Sequence, residues 1–249
     1  FGEDETMLKD SAAKFFADNC SPDKLHGLVA EDPNIHRSIE CIWDKQLWQQ
    51  ITELGWTAAC VPEEAGGLGM PLVAAVAIAE EAGKAAFPSP LISTMIASFV
   101  LKECHSDAAT KALGDVASGV PMTLAVTNKL GSWEPGDTDV AAAGTTLNGT
   151  AYFVQDAQKC DQFIVSATTP KGVALFLVDA NAAGVSITPD GIIDLTRDQA
   201  HVEFKNVEAI ELAAPGTGEE SLASALPAIQ TIITADMVGA GEWLLQTTV

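Results

Sequence analysis

Near Gly119 the hydrophobic pattern of this chain changes period, and no other feature of the sequence constrains the fold more. Before it, apolar residues recur at helical spacing. In "DETMLKDSAAKFFADNC", Met7, Leu8, Ala12, Phe15 and Phe16 share one face. "SIECIWDKQLWQQITELGW" repeats the pattern with Ile42, Trp43, Leu47, Trp48, Ile51 and Leu54, and Gly55 follows as a stop signal. Further helices are expected from about Pro71, through "SPLISTMIASFVLKECH", and in "SDAATKALGDVASG", where Ser106 stands at a cap position. After Gly119, threonine, valine and glycine take over. "PMTLAVTN", "DVAAAGTTLNGTAYFVQ", "CDQFIVSATT", "GVALFLVD", "GVSITPDG" and "AHVEFKNVEAI" read as short strands divided by turn residues, the pattern of an antiparallel sandwich or barrel. "GEESLASALPAIQTIITADMVGAGEWLLQTTV" then returns to helix. The expected units are residues 1–118 (helical), 119–213 (β) and 214–249 (helical again).

Charge and cysteine usage narrow the function. With 13 basic against 34 acidic side chains and a net charge of −21, the chain has no basic stripe to displace the counterions of a nucleic acid or an anionic membrane. The five cysteines are scattered without CxxC spacing, which argues against a disulfide framework and against zinc. Lys159 beside Cys160 favours a thiolate only weakly, and no catalytic role is expected there. His26, His36, His105 and His201 are not at metal-ligand spacing from one another or from cysteines, so no metal is expected. The longest apolar run, in "MPLVAAVAIAEE", is too short to span a bilayer, and a cytoplasmic protein is expected.

"VPEEAGGLGMPLVAAVAIAEEAGKAAFP" raises the question of phosphate binding, because glycine-rich loops before helices often cradle phosphates. This loop lacks GxGxxG spacing, a P-loop lysine and an obvious preceding strand, and Glu63 and Glu64 would repel an anion. It reads as a tight turn with Gly66, Gly67 and Gly69 at positive φ.

In order and spacing, "LGWTAACVPEEAGGLGM…AIAEEAGKAAFPSPL", "DLTRDQAHVEFKNVEA" and "ADMVGAGEWLLQTTV" resemble three stretches of the acyl-CoA dehydrogenase family. The resemblance implies an α+β multidomain fold: an N-terminal all-α domain, a middle antiparallel β-sandwich or barrel, and the first helix of a C-terminal helical bundle. It implies FAD as cofactor and oxidation of an acyl-CoA thioester to the 2-enoyl form, within lipid metabolism such as fatty-acid β-oxidation. It also implies electron-transfer flavoprotein or a similar acceptor, and a dimeric or tetrameric assembly. The apolar surface of the terminal helix (Leu226, Ile229, Ile232, Ile233, Met237, Val238, Trp243, Leu244) points the same way, since it calls for helices outside this sequence.

The family's flavin contacts lie on two segments of the β unit, and both are altered here. "LAVTNKLGSWEPGD" keeps Thr127 and Gly131-Ser132, but Asn128-Lys129 replace Glu-Pro and Trp133 replaces Asp. "LNGTAYFVQ" keeps Gly149, while Ala151, Phe153, Val154 and Gln155 replace Lys, Trp, Ile and Thr/Ser. The resemblance thus assigns cofactor contact to Leu124, Val126, Thr127, Gly131 and Ser132 on the first segment, and to Phe153, Val154 and Gln155 on the second. The β unit, about 122–212, is expected to face the cofactor and the helical unit to wall the acyl pocket. The family's catalytic glutamate lies beyond the matched segments, so no base is assigned; Glu63, Glu64, Glu80 and Glu81 read as helix-surface carboxylates. The altered segments leave an alternative in place, a flavin-deficient, non-catalytic partner subunit of a heteromeric acyl-CoA dehydrogenase.

Overall fold

The computed structural model describes residues 2–30 and 43–249. Among the described residues six α-helices come first: α1 (Glu3–Asn19), α2 (Pro22–Ala30), α3 (Lys45–Glu53), α4 (Leu72–Lys84), α5 (Leu91–Lys102) and α6 (Asp107–Ala117), with a short 3-10 turn at Glu63–Ala65. Eight strands follow: β1 (Met122–Ala125), β2 (Val140–Ala143), β3 (Thr146–Gln155), β4 (Gln162–Thr169), β5 (Gly172–Asp179), β6 (Val185–Pro189), β7 (Gln199–Glu208) and β8 (Ile210–Ala213). The last element is α7 (Gly218–Thr248).

The helix boundaries have local causes. Asp44 accepts hydrogen bonds from the Gln46 and Leu47 amides, so α3 starts at Lys45, later than the apolar pattern alone suggests; Ile42 lies outside the described residues. Ser106 caps α6 through the Ala109 amide, as expected, and also donates to the Leu212 carbonyl, tying that helix to β8. The α2 helix was not foreseen. Ala12 and Phe16 are buried, but Met7 and Leu54, read as members of apolar faces, are exposed. In the glycine-rich loop Gly66 and Gly69 adopt positive φ. Gly67 does not: it is glycine because a Cβ there would lie 2.0 Å from the Val61 carbonyl oxygen.

The sheet runs β6-β7-β3-β2-β4-β5-β8, with β1 added on β4. Most neighbours are antiparallel, but β1 pairs parallel with β4, from Met122 opposite Gln162 to Ala125 opposite Val165, and β2 meets β4 in parallel at Ala141–Thr168. The sheet is therefore mixed, which corrects the antiparallel expectation: alternation fixes the faces of a strand, not the direction of its partner. β4 and β5 are apolar on both faces. Phe163, Val165, Ala174, Phe176 and Val178 fill the interior of the β region, while Ile164, Leu175 and Leu177 join Met122 and Leu124 in a second core shared with the helices.

Helix α7 closes that second core. Leu222, Ala225, Ile229, Ile232 and Ala235 are buried, so Ile229 and Ile232 need no helix from outside the chain, contrary to expectation. Met237, Val238, Trp243 and Leu244 remain exposed. Among the described residues α7, not the stretch at α4, is the helix long and apolar enough to cross a membrane by length and composition, yet one face of its first half is buried inside the protein. Gly83 of α4 and Gly239 of α7 allow the two backbones to touch: a Cβ on Gly239 would lie 1.8 Å from the Glu80 carbonyl oxygen.

Candidate functional site: a cleft between the sheet and helix α7

The candidate site begins with a defect in β3. Opposite β7, Ala151 pairs with Val202 and Val154 with Ala200, so β3 carries one extra residue between the two pairs. Such a bulge bends the strand and re-aims a side chain. Here Phe153 takes φ +54°, the left-handed region, and is 42% exposed. An aromatic residue held in that conformation carries strain, and strain of this kind concentrates at functional sites. The Tyr152 amide donates to the Thr127 carbonyl at 2.9 Å, which brings the chain after β1 alongside the bulge.

The result is a cleft with about 390 Å³ of empty space, lined by Ser93, Ile96, Thr123, Leu124, Thr127, Trp133, Phe153, Gln155 and Ile233. Much of that space is open to solvent, so the cleft is shallow, but its mixture of apolar walls with a few polar tips is typical of small-molecule sites. Among the described residues the Thr127 hydroxyl and the Gln155 side-chain amide make no hydrogen bond; Thr127 is buried, whereas Gln155 is exposed. Unpartnered polar groups in a cleft are costly unless a ligand or water meets them.

Of the eight residues assigned from the sequence, the structure brings four together: Leu124, Thr127, Phe153 and Gln155. Gly131, at φ +74°, passes close enough that a Cβ would lie 3.8 Å from the Phe153 ring. Val126 faces a neighbouring hollow with Trp133, Leu222, Leu226 and Ile229. The Val154 side chain is in the sheet interior and does not line the cleft, because the bulge restores the inward phase directly after Phe153. Ser132 does not line the cleft, since its hydroxyl donates to Asp137 Oδ2 at 2.6 Å within its own loop. Trp133, Ser93, Thr123, Ile96 and Ile233 were not foreseen as lining residues. Only Trp133 had left a signal, as an aromatic residue standing where the family motif has Asp.

A charged cluster sits behind the cleft. Asp156, also at positive φ, accepts from Ser93 Oγ at 2.6 Å and from Lys159 Nζ at 2.9 Å. Lys159 also ion-pairs with Asp198. Burial works against the Lys159 charge, but Asp156 and then Asp198 outweigh it and push the ammonium up to about 12. Burial lifts the Asp198 carboxyl above its ordinary range against the pull of Lys159. Burial also holds Cys160 well above the usual thiol value, with Asp156 and Asp198 adding to it, so the neighbouring lysine does not activate this thiol.

Other candidates reduce to structure. Glu80 pairs with Lys9, and Glu81 with Lys84. His201 meets Asp190 at 3.1 Å, a pairing not foreseen, and among the described residues no group of three or more ligand types can hold a metal ion.

The fit to a flavin can be tested on these residues. Thr127 and Gln155 present free polar groups to the heteroatom edge of a ring, Phe153 presents an aromatic face, and Leu124, Ile96 and Ile233 present apolar walls. In polar groups and aromatic cover these residues suit the ring portion. No lysine, arginine or histidine lines the cleft to meet a diphosphate.

Comparison with known proteins agrees with this architecture. Residues 2–120 match the model of the acyl-CoA dehydrogenase N-terminal domain. Acyl-CoA dehydrogenase IpdE2 of Mycobacterium tuberculosis is 31% identical over 118 residues, 47% of this chain and 34% of that protein; the chain thus spans about a third of this relative. Among solved structures, a variant of the Tcur3481-Tcur3483 steroid ACAD superposes with a TM-score of 0.84 at 26% identity, covering 99% of this chain and 66% of that one. The ChsE4-ChsE5 complex from Mycobacterium tuberculosis gives a TM-score of 0.84 at 25% identity, covering 100% and 66%. Residues 2–120 are thus similar to the acyl-CoA dehydrogenase N-terminal domain in sequence, and the helices, mixed sheet and long closing helix of the whole chain resemble the fold of acyl-CoA dehydrogenases.

Proposed function

We propose that this chain supplies the flavin-facing part of an FAD-dependent acyl-CoA dehydrogenase that oxidises an acyl-CoA thioester to the 2-enoyl-CoA. The observation that carries this reading is the convergence of the unpartnered Thr127 hydroxyl, the Gln155 amide and the strained Phe153 ring on one cleft. When bound, FAD supplies the oxidant that takes the β-hydrogen of the substrate as hydride. Thr127 and Gln155 hydrogen-bond the polar edge of the ring, and Phe153 covers one of its faces. Leu124, Ile96 and Ile233 keep water from it. The loss of an α-proton needs a base. No carboxylate lines the cleft, and the Asp156 carboxylate behind it is committed to Ser93 and Lys159. The base therefore comes from outside these residues. In the same reading residues 1–118, 119–213 and 214–249 are the N-terminal helical, middle β and C-terminal helical units, a cytoplasmic setting suits the unpaired thiols of Cys20, Cys60, Cys104 and Cys160, and electron-transfer flavoprotein or a similar protein takes the electrons.

A second reading, a flavin-poor subunit beside a flavin-competent one, also has support. The titles of two similar structures name two chains, Tcur3481-Tcur3483 and ChsE4-ChsE5. In this chain the Ser132 hydroxyl is already bound to Asp137, and no cation lines the cleft. Purification of the full-length protein, alone and with a related chain, tests both readings through visible flavin absorbance and acyl-CoA-dependent reduction of an artificial electron acceptor. Flavin and turnover in the protein alone support the first reading; flavin and turnover only in the pair support the second. No flavin in either preparation overturns both.

A further inference from the structure

Three side chains of opposite charge are almost fully enclosed behind the cleft. Relative exposure is 1% for Lys159, 6% for Asp156 and 4% for Asp198. Their places in the chain differ. Asp156 directly follows Gln155, the last residue of β3, whereas Asp198 directly precedes β7, the strand that β3 pairs with. Lys159 Nζ bridges the two carboxylates, and the Asp156 amide donates to the Asp198 carbonyl at 3.1 Å. Ser93 ties the same Asp156 carboxylate to α5. Next to Asp198, Arg197 holds Asp236 of α7 through two hydrogen bonds of 2.8 and 2.9 Å.

Two non-glycine residues, Phe153 and Asp156, stand at positive φ within four positions, with Gln155 between them. Each left-handed residue has to be held by its surroundings. Phe153 is 42% exposed, whereas Asp156 is buried in the ion cluster, so the restraint comes from the Asp156 end. There, among the described residues, the buried ammonium is the one cation that holds both carboxylates and so both strand ends.

We infer that Lys159 is a positioning residue for the ligand-facing turn: by clamping Asp156 to Asp198 it fixes the end of β3 and so aims Phe153 and Gln155 into the cleft. The clamp itself is read from geometry, while its value for a flavin rests on the function proposed above. A buried ion cluster of this kind contributes little net stability compared with apolar packing, which leaves definition of one conformation as its role.

The test separates positioning from charge balance. Lys159→Met alone leaves two buried carboxylates without a cation and risks misfolding. The double variant Asp156→Asn/Lys159→Met keeps the net charge of the cluster at −1, because one carboxylate and no cation replace two carboxylates and one cation. It removes the ionic bridge and leaves one buried carboxylate, Asp198, without its cation instead of two, so the circular-dichroism spectrum serves as the folding control. Full-length parent and double variant are compared, with any partner chain present, by circular dichroism, by amide hydrogen exchange of the peptide spanning residues 152–156, and by titration with FAD. A native spectrum with exchange of residues 152–156 at least tenfold faster, while the sheet interior at β4 and β5 stays protected, supports the clamp. A correctly folded double variant whose 152–156 exchange equals that of the parent overturns it, and so does loss of protection spread evenly over the protein. FAD affinity weakened about tenfold in the variant extends the clamp to the flavin. If the parent binds no FAD, the functional reading fails while the exchange result still decides the clamp.

Discussion

Replacement of Gly239 by alanine tests the docking of α7, the helix that supplies Ile233 to the cleft. In an exposed helix interior, Gly→Ala is stabilising by about 1 kcal/mol, because alanine loses less conformational entropy. At Gly239 the new Cβ would lie 1.8 Å from the Glu80 carbonyl oxygen and 3.0 Å from the Lys84 nitrogen. A carbon approaches a carbonyl oxygen no closer than roughly 3.3 Å, so α4 and α7 must part by roughly 1.5 Å. Gaps of that order forfeit a large fraction of the dispersion attraction along the whole contact. Overpacking costs about 1–3 kcal/mol, and a shift shared by two helices belongs at the upper end. After the propensity gain, the net expectation is a loss of about 2 kcal/mol, or roughly 4–8 °C in Tm for a chain of this size. Gly241, two residues further along the same helix, has nothing within 4 Å of its Cβ position, so Gly241→Ala should stabilise by about 0.4–1 kcal/mol. Urea and thermal unfolding followed by circular dichroism read both. The opposite signs are the prediction; if Gly239→Ala stabilises as Gly241→Ala does, the close crossing of α4 and α7 is refuted.

Three further outcomes follow from the same structure. Phe153→Gly relieves a left-handed aromatic residue, so the flavin-free protein should hold its stability or gain about 1 kcal/mol while FAD binding weakens by roughly two- to tenfold; a thermal melt and a flavin titration check the two halves, and a stability loss above about 1 kcal/mol would show that the ring is a packing element. Because Asp198 has its carboxyl lifted by burial, the native state binds more protons than the unfolded state above the ordinary carboxylate value, near 3.9, up to the lifted one. Its contribution to stability therefore falls as pH rises through that window, and the stability of the parent minus that of Asp198→Asn should decline from about pH 4 upward in urea titrations. Ser106→Ala removes both the α6 cap and the bond to Leu212, and should cost about 1 kcal/mol by urea unfolding.

The sequence carried the outline of the fold because helical and strand periodicities report on which faces are buried. Ala12 and Phe16 went inside as their spacing required, and Ser106 capped as its position required. Partner identity was another matter. Nothing in "PMTLAVTN" indicates that β1 runs parallel to a strand forty residues later, and nothing at Gly67 distinguishes a steric need for glycine from a conformational one. At the cleft, Thr127, Phe153 and Gln155 are accessible through motif resemblance, but Ser93 reaches Asp156 across 63 residues and in the sequence Lys159 stands out only as the neighbour of a thiol. The clamp of Lys159 depends on two carboxylates that only the folded chain brings together, so its logic is invisible to local spacing.

The central claim is that the cleft of Thr127, Phe153 and Gln155 receives a flavin ring, and the most direct measurement is the FAD affinity of Thr127→Val/Gln155→Leu beside the parent. The two substitutions keep approximate volume and remove both unpartnered polar groups. Each hydrogen bond is worth about 0.5–1.5 kcal/mol, so together they should weaken binding by roughly five- to a hundredfold. The comparison is made by visible flavin absorbance in a titration of the full-length protein with any partner chain present, after circular dichroism has shown both proteins folded. A loss of affinity in that range is the result the structure predicts; an FAD affinity equal to that of the parent would contradict it.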